Sequence, residues 1–239
     1  MSGLGDAVGL LTTIGRRGGS PRSFSARALG WFPVLGAALG ALVGACWWAA
    51  DEAWTPLPAA VLVVVVDLAV TGMLHVDGLA DSADGLLPHA DRDRRLAIMR
   101  APDVGAFGVA VVCIALVALV AALASQPVSV LLVVGLWMAA RSLVAAVPAL
   151  VPYAREAGIA SSLLDGAPRW PVLGVPVAAA IAALDTGARG ATAVVVGAAA
   201  GIGVLLVARR RLGGFTGDVL GATIVVVETI GLLVASARW

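Results

Sequence analysis

Polar and apolar positions segregate along this chain in blocks the size of whole helices. About seven apolar runs, 28–50, 57–76, 104–124, 128–151, 170–184, 191–208 and 217–237, are separated by short polar connections. A helix needs about 20 mostly apolar residues to cross the hydrocarbon of a bilayer. The runs approach or exceed that length except for the fifth, which is short and proline-rich. Glycine and alanine are scattered through all of them, as suits helices whose backbones meet closely in lipid. The pattern predicts an all-α, polytopic membrane bundle of about seven transmembrane helices, a single domain over 1–239 with no internal repeat.

Composition agrees with that reading. The chain is 60% hydrophobic and 13% charged, with a mean hydropathy of +0.99, far from the average soluble domain and close to a chain whose main solvent is lipid. The net charge of +1 supplies no global field that would draw nucleic acid, so no nucleic-acid partner is expected. Cys46 and Cys113 lie far apart in apolar stretches, which argues against a disulfide frame or a thiolate metal site. Residues 1–11 lack the basic, apolar and small-residue pattern of a secretory leader, so no cleavage is expected there.

Charge placement adds orientation. Arg16, Arg17, Arg22 and Arg27 precede the first run, Arg92, Arg94, Arg95 and Arg100 follow the second, Arg155 and Arg169 precede the fifth, and Arg209, Arg210 and Arg211 follow the sixth. The intervening connections carry Asp51 and Glu52, then Ser125-Gln126-Pro127, then Asp185 with a single Arg189. Short arginine-rich connections remain cytoplasmic, so the alternation predicts a cytoplasmic N-terminus and an external C-terminus. Trp47, Trp48 and Trp54 are placed at one interface as an aromatic belt.

The chemistry concentrates in three segments. His75-Val76-Asp77-Gly78-Leu79-Ala80-Asp81-Ser82-Ala83-Asp84-Gly85 closes the second run. Asp77, Asp81 and Asp84 recur at i, i+4 and i+7, which puts three carboxylates on one helical face. Like charges at that spacing repel by about a few tenths of a kcal/mol per pair in water, and more strongly near lipid. Hard oxygen donors of this kind suit Mg²⁺ better than zinc or iron. The alternative is a solvated helix end. Asp91 to Arg100 reads as a short amphipathic helix, whose Arg94, Arg95 and Arg100 are suited to phosphate by forked hydrogen bonds or, alternatively, to lipid headgroups. Gly105-Ala106-Phe107-Gly108 allows close packing where the chain re-enters the membrane. Gly213-Gly214-Phe215-Thr216-Gly217-Asp218 opens the last helix, where Thr216 and Gly217 can present an anion site at a helix N-terminus and Asp218 can add a carboxylate to the helix-two acids. An ordinary N-cap at Thr216 or Asp218 is the competing reading. Asp67, Arg141 and Glu228 fall inside predicted spans, where charges face the bundle interior. There Arg141 either pairs with an acid or reaches a substrate phosphate. His75 is close enough to the acids to assist them, although it and His89 also fit as helix-end residues.

The run His75–Gly85, the basic helix ending Leu96-Ala97-Ile98-Met99-Arg100, the Gly105–Gly108 turn and the Gly214-x-Thr216-Gly217-Asp218-x-Leu220-Gly221 element resemble, in this order and spacing, the cobalamin synthase family, also called adenosylcobinamide-GDP ribazoletransferases. The resemblance spans nearly the whole chain. It implies transfer of the adenosylcobinamide phosphate unit from adenosylcobinamide-GDP to α-ribazole or its 5′-phosphate, with Mg²⁺, releasing GMP. It also implies that Asp77, Asp81, Asp84 and Asp218 hold metal. Asp81 and Asp84, with His75 beside them, are read as the catalytic residues, and the arginine alternation puts the site at the cytoplasmic face of a prokaryotic inner membrane. One departure is Ala101 directly after Arg100, where the family pattern leads one to expect an acid; Asp103 follows two positions later.

Two rivals fit less well. CDP-alcohol phosphotransferases share an opening like Asp81-Ser82-Ala83-Asp84-Gly85. Their next residues do not follow, since Pro88-His89 replaces Ala-Arg, and Val109 and Cys113 stand at the later ligand positions. A cation transporter would place its acids near the bilayer midplane on broken helices, whereas these lie at one mouth beside arginines.

Overall fold

A computed structural model describes residues 3–14, 24–156 and 158–238, and these are helical with a single isolated strand-like bridge. Ten α-helices follow in order: α1 (Gly3–Leu11), α2 (Phe32–Ala53), α3 (Pro56–Thr71), α4 (Leu74–Leu86), α5 (Arg92–Ile98), α6 (Ala106–Ala124), α7 (Val130–Ala146), α8 (Gly174–Thr186), α9 (Ala188–Leu212) and α10 (Gly217–Ala235). Short 3₁₀ turns lead into α2 and α8 and extend α7. Among the described residues, five segments are long and apolar enough to cross a bilayer, Ala26–Ala53, Ala106–Ala124, Val130–Ala149, Ala188–Leu212 and Gly217–Ala235, with the bent pair of α3 and α4 a sixth when taken together. The short fifth run becomes the apolar helix Trp170–Thr186.

The second run departs from expectation. The sequence pattern carried it as one helix into the acidic segment, but α3 ends at Gly72 and α4 leaves at 89°. Gly72 (φ 63°) and Met73 (φ 58°) are both left-handed, a conformation that ends the α-helical hydrogen-bond ladder. Glycine adopts it freely, while a side chain such as that of Met73 raises its cost to about 1–2 kcal/mol.

Small residues draw the helices together. A methyl group added at Gly36 would stand 2.7 Å from the Trp137 carbonyl oxygen, one at Gly40 2.7 Å from Val134 Cα, and one at Gly44 2.9 Å from the Val130 side chain. These pairings run in opposite senses, so α2 and α7 are antiparallel. α9 and α10 meet in the same manner, with Gly197 and Gly201 against Val227.

The connections sort to two ends. At one, Ser129 donates to Asp185 (2.6 Å), which joins the α6–α7 and α8–α9 turns. At the other, Arg92 donates to the carbonyls of Leu212 and Ala154, Arg211 to that of Leu86, and the Phe24 N–H to Ser162. The arginine-bearing connections thus gather at a single end, as their alternation requires. Arg16, Arg17 and Arg22 lie outside the described residues. Of the three tryptophans, Trp48 and Trp54 are exposed as a belt demands, but Trp47 is 1% exposed and packs in the core.

The interior contains a charged network. Arg141 on α7 is fully buried, pairs with Glu228 on α10 and lies 5.9 Å from the ring centroid of Trp137, while the Trp137 indole donates to Asp67 on α3 (2.8 Å). Arg141, expected as a phosphate ligand, is therefore corrected to the other role its position allowed: it binds an acid within the bundle. Burying a guanidinium in lipid demands such a partner.

Candidate active site

α4 grades its three acids from solvent to interior. Asp77 is exposed, Asp81 half-buried and Asp84 buried. Asp84 accepts the Gly105 N–H (2.6 Å) and the Gly108 N–H (2.9 Å), one on each carboxylate oxygen. Gly105 caps α6 with no side chain of its own, so Asp84 supplies the anion that the free amides and positive dipole end of α6 require. A methyl group on either glycine would collide with that carboxylate, which explains the Gly-x-x-Gly spacing. Asp84, expected as a metal ligand and catalytic acid, thus clamps α4 onto α6 while still lining the groove that holds Arg94. Asp84→Asn would turn an amide NH₂ toward a backbone N–H and leave a donor unsatisfied, an expected loss of about 1–3 kcal/mol. A lowered thermal midpoint in detergent checks this, and an unchanged midpoint would refute the clamp.

The other end of α4 abuts the start of α10. A methyl group on Gly78 would stand 2.7 Å from the Asp218 carbonyl oxygen, and one on Gly221 3.2 Å from His75 Cα. This contact brings Asp218 to the acids of α4 across the length of the sequence. The charges felt by Asp81 are those of Asp218, Asp77 and Asp84, with Arg155 opposing. Among the described residues, no three His, Cys, Asp or Glu side chains are gathered so that they could hold a metal ion.

Asp218 is itself engaged. Arg155 Nη2 donates to its Oδ2 at 2.6 Å, and the Thr216 hydroxyl lies 3.3 Å from the same oxygen. Thr216 is fully buried and caps α10 by accepting the Val219 N–H (3.3 Å). The capping role, left open by the sequence, is the one its position serves, and its burial keeps it from contacting an incoming phosphate directly. Gly217 is exposed, with open space around its Cα.

Arg155 emerged from sequence only as a topological charge. It reaches Asp218 because the chain before it pairs with the α9–α10 turn. The Phe215 N–H donates to Pro152 O (2.9 Å), and the Ala154 N–H to Phe215 O (2.8 Å). The Tyr153 and Phe215 rings pack edge-to-face, centroids 5.3 Å apart. Burial pushes the Tyr153 phenol above its ordinary range, with Arg155 pulling it down. No local motif could have signalled this pairing, because its two partners, Tyr153 and Phe215, lie 62 positions apart in the chain.

The remaining expected residues divide. Arg95 is buried and donates to the carbonyls of Gly85 and Leu86, both at 2.8 Å, so it caps α4 and is not free for phosphate. Arg94 is exposed and lines an open groove with Pro88, Asp103 and Phe107. Arg100 is exposed and shares a groove with Arg92, Ala154 and Arg155. His75 is buried and lines the interior cavity with Asp67, Thr71 and Glu228, which corrects its expected place among the acids. α4 turns His75 inward while presenting Asp77 to the opposite side, as two residues on a helix must.

Fold and site together define a polytopic membrane protein with carboxylates and guanidinium groups gathered at one mouth of its bundle. A family model described as cobalamin-5-phosphate synthase matches residues 3–236. A relative from Chlorobium phaeovibrioides is 37% identical over 259 residues, covering 100% of this chain and 98% of the relative. One from Stutzerimonas stutzeri is 38% identical over 213 residues, covering 84% and 83%, and one from Bradyrhizobium diazoefficiens is 38% identical over 222 residues, covering 89% and 84%. All three are named adenosylcobinamide-GDP ribazoletransferase. No solved structure matches the chain. The chain belongs to the cobalamin-5-phosphate synthase family and is an enzyme of cobalamin biosynthesis.

Proposed function

We propose that this chain joins the adenosylcobinamide phosphate unit of adenosylcobinamide-GDP to α-ribazole or its 5′-phosphate, forming adenosylcobalamin or its 5′-phosphate and releasing GMP. The observation that carries this reading is the meeting of Asp77, Asp81 and Asp218 with Arg155, next to Arg100, at one end of the bundle. A ribazole hydroxyl attacks the phosphorus bonded to the cobinamide side, the bond to the GMP oxygen breaks, and the hydroxyl proton passes to a carboxylate of the cluster. Asp81, which feels the charges of Asp218, Asp77 and Asp84, would take that proton. Such a reaction depends mainly on positioning and on cations near the transferred and leaving oxygens.

Carboxylate oxygens are the donor type that Mg²⁺ takes, which supports the reading by chemistry alone, since no three such groups are gathered to hold an ion among the described residues. Asp77, Asp81 and Asp218 would hold it, and when bound it supplies positive charge to the phosphate oxygens. Arg100 and Arg155 give forked hydrogen bonds to the diphosphate. A turnover assay with adenosylcobinamide-GDP and α-ribazole in detergent, following GMP, tests the reaction. Absence of GMP from folded protein would overturn it, and is what a transporter predicts.

The arginine-rich end faces the cytoplasm of a prokaryotic inner membrane in this proposal, which puts the site where nucleotide-activated substrates occur. A reporter fused after Arg211 is expected to read cytoplasmic, and one after Arg238 external. Both on one side would remove α10 as a span and refute the orientation.

A further inference from the structure

We propose that the groove between the start of α2 and the loop before α8 binds the headgroup of a phospholipid that carries a primary ammonium beside its phosphate, as phosphatidylethanolamine does. The groove lies at the arginine-rich end of the bundle, and the carboxylates of α4 and α10 take no part in its walls. The inference therefore stands apart from the reaction.

The chain places this groove where helices enter the membrane. The segment Ala26–Ala53 is long and apolar enough to cross, and the apolar helix Trp170–Thr186 starts beside it. Each begins with a 3₁₀ turn that carries a tryptophan, Ala26–Trp31 and Trp170–Leu173. Both indoles are exposed, as rings at the headgroup level are. Gly30 sets their spacing, since a methyl group there would stand 3.0 Å from Trp170 Cζ2, and the bare backbone lets that ring lie against the turn. The groove measures about 690 Å³, and its walls include Arg27, Trp31, Val34, Asp165 and Trp170. That size falls within the ~300–1,000 Å³ of small-molecule sites.

Its charges select the occupant. Arg27 extends from a fixed backbone, because the Ser25 hydroxyl accepts the Arg27 N–H (3.3 Å). The side chains of Arg27 and Asp165 are exposed, and among the described residues neither forms an ion pair. One cation and one anion in a single groove complement a zwitterion. A purely anionic headgroup would satisfy Arg27 but face Asp165 with like charge. The phosphate meets the guanidinium through forked hydrogen bonds, and the ammonium meets Asp165 and the indoles, whose rings attract a cation. A trimethylated ammonium keeps the charge but has no N–H to donate to Asp165. Val34, exposed one turn further into the span than Trp31, gives the acyl chain an apolar wall below the headgroup, which favours a lipid over a free phosphate compound.

The test uses the whole protein in nanodiscs of equal parts phosphatidylethanolamine, phosphatidylcholine and phosphatidylglycerol, with retained lipid weighed by native mass spectrometry. Wild type should keep phosphatidylethanolamine on the order of fivefold over either other lipid, the combined scale of an exposed ion pair and a cation–π contact. Asp165→Asn should erase the preference over phosphatidylglycerol, and Arg27→Gln should lower retention of both. Neither change should move the thermal midpoint, since both side chains are exposed. An excess of O-phosphoethanolamine should leave the lipid in place, because it has no acyl chain to set against Val34. Equal retention of the three lipids by wild type would overturn the site, as would a preference for phosphatidylethanolamine that survives both variants. Wild type that favours phosphatidylglycerol would reduce the groove to a basic patch and overturn the zwitterion. Displacement by O-phosphoethanolamine would overturn the lipid as occupant.

Discussion

Asp81→Asn is expected to leave the bundle assembled in the membrane and to lower GMP release by about a hundredfold or more, the upper scale for loss of a metal-organising carboxylate. Asp81 is half-buried at the centre of the acids, and its charge environment consists of Asp218, Asp77, Asp84 and Arg155. The substitution keeps shape and removes charge. Because no hydrogen bond ties Asp81 to a helix end in the way that two amides tie Asp84, the thermal midpoint should stay near wild type. A variant that turned over at a near-wild-type rate in saturating Mg²⁺ would sink the assignment of this carboxylate to the reaction.

Arg141→Met should destabilise more than any other single change considered. It leaves Glu228, 3% exposed, and the Asp67 carboxylate facing each other in the bundle interior. Stranding one side of a buried ion pair costs about 3–5 kcal/mol, read as a lower thermal midpoint and a lower yield of monodisperse protein. The double variant Arg141→Met/Glu228→Leu should regain part of that loss, since an apolar pair strands only Asp67. If Arg141 instead contacted substrate phosphate, the single variant would keep its midpoint and raise KM. Stability and kinetics measured on the same preparation distinguish the two.

Much of this architecture was legible in sequence because lipid imposes a coarse rule: long apolar blocks must be helices, and arginines mark one side. The helical blocks, the gathering of their basic connections and the approach of Asp218 to the α4 acids follow from that rule, although five of the expected seven, or six with α3 and α4 taken as one bent span, are long and apolar enough to cross. What escaped was set by single backbone positions and long-range pairing. The block 57–76 looked continuous because Gly72 is one small residue among many, and glycine within a membrane helix need not break it. Asp84 shared the periodicity of Asp77 and Asp81, yet helical spacing says nothing of what approaches each turn, and the start of α6 came to that one. Arg95 and Arg155 were equivalent as charges in a connection. One caps α4 and the other meets Asp218 only because Phe215 pairs with the chain at Pro152 and Ala154.

The charged interior also fixes an order of events during synthesis. Asp67 and Arg141 lie on helices that leave the ribosome well before α10, which brings Glu228 to the interior and Asp218 to the mouth. Until that last helix arrives, Arg141 lacks the Glu228 carboxylate that pairs with it in the folded bundle, a costly state in hydrocarbon. The final helix therefore closes the interior and brings Asp218 to the α4 acids in one step, so a nascent chain without it lacks the acid that pairs with Arg141.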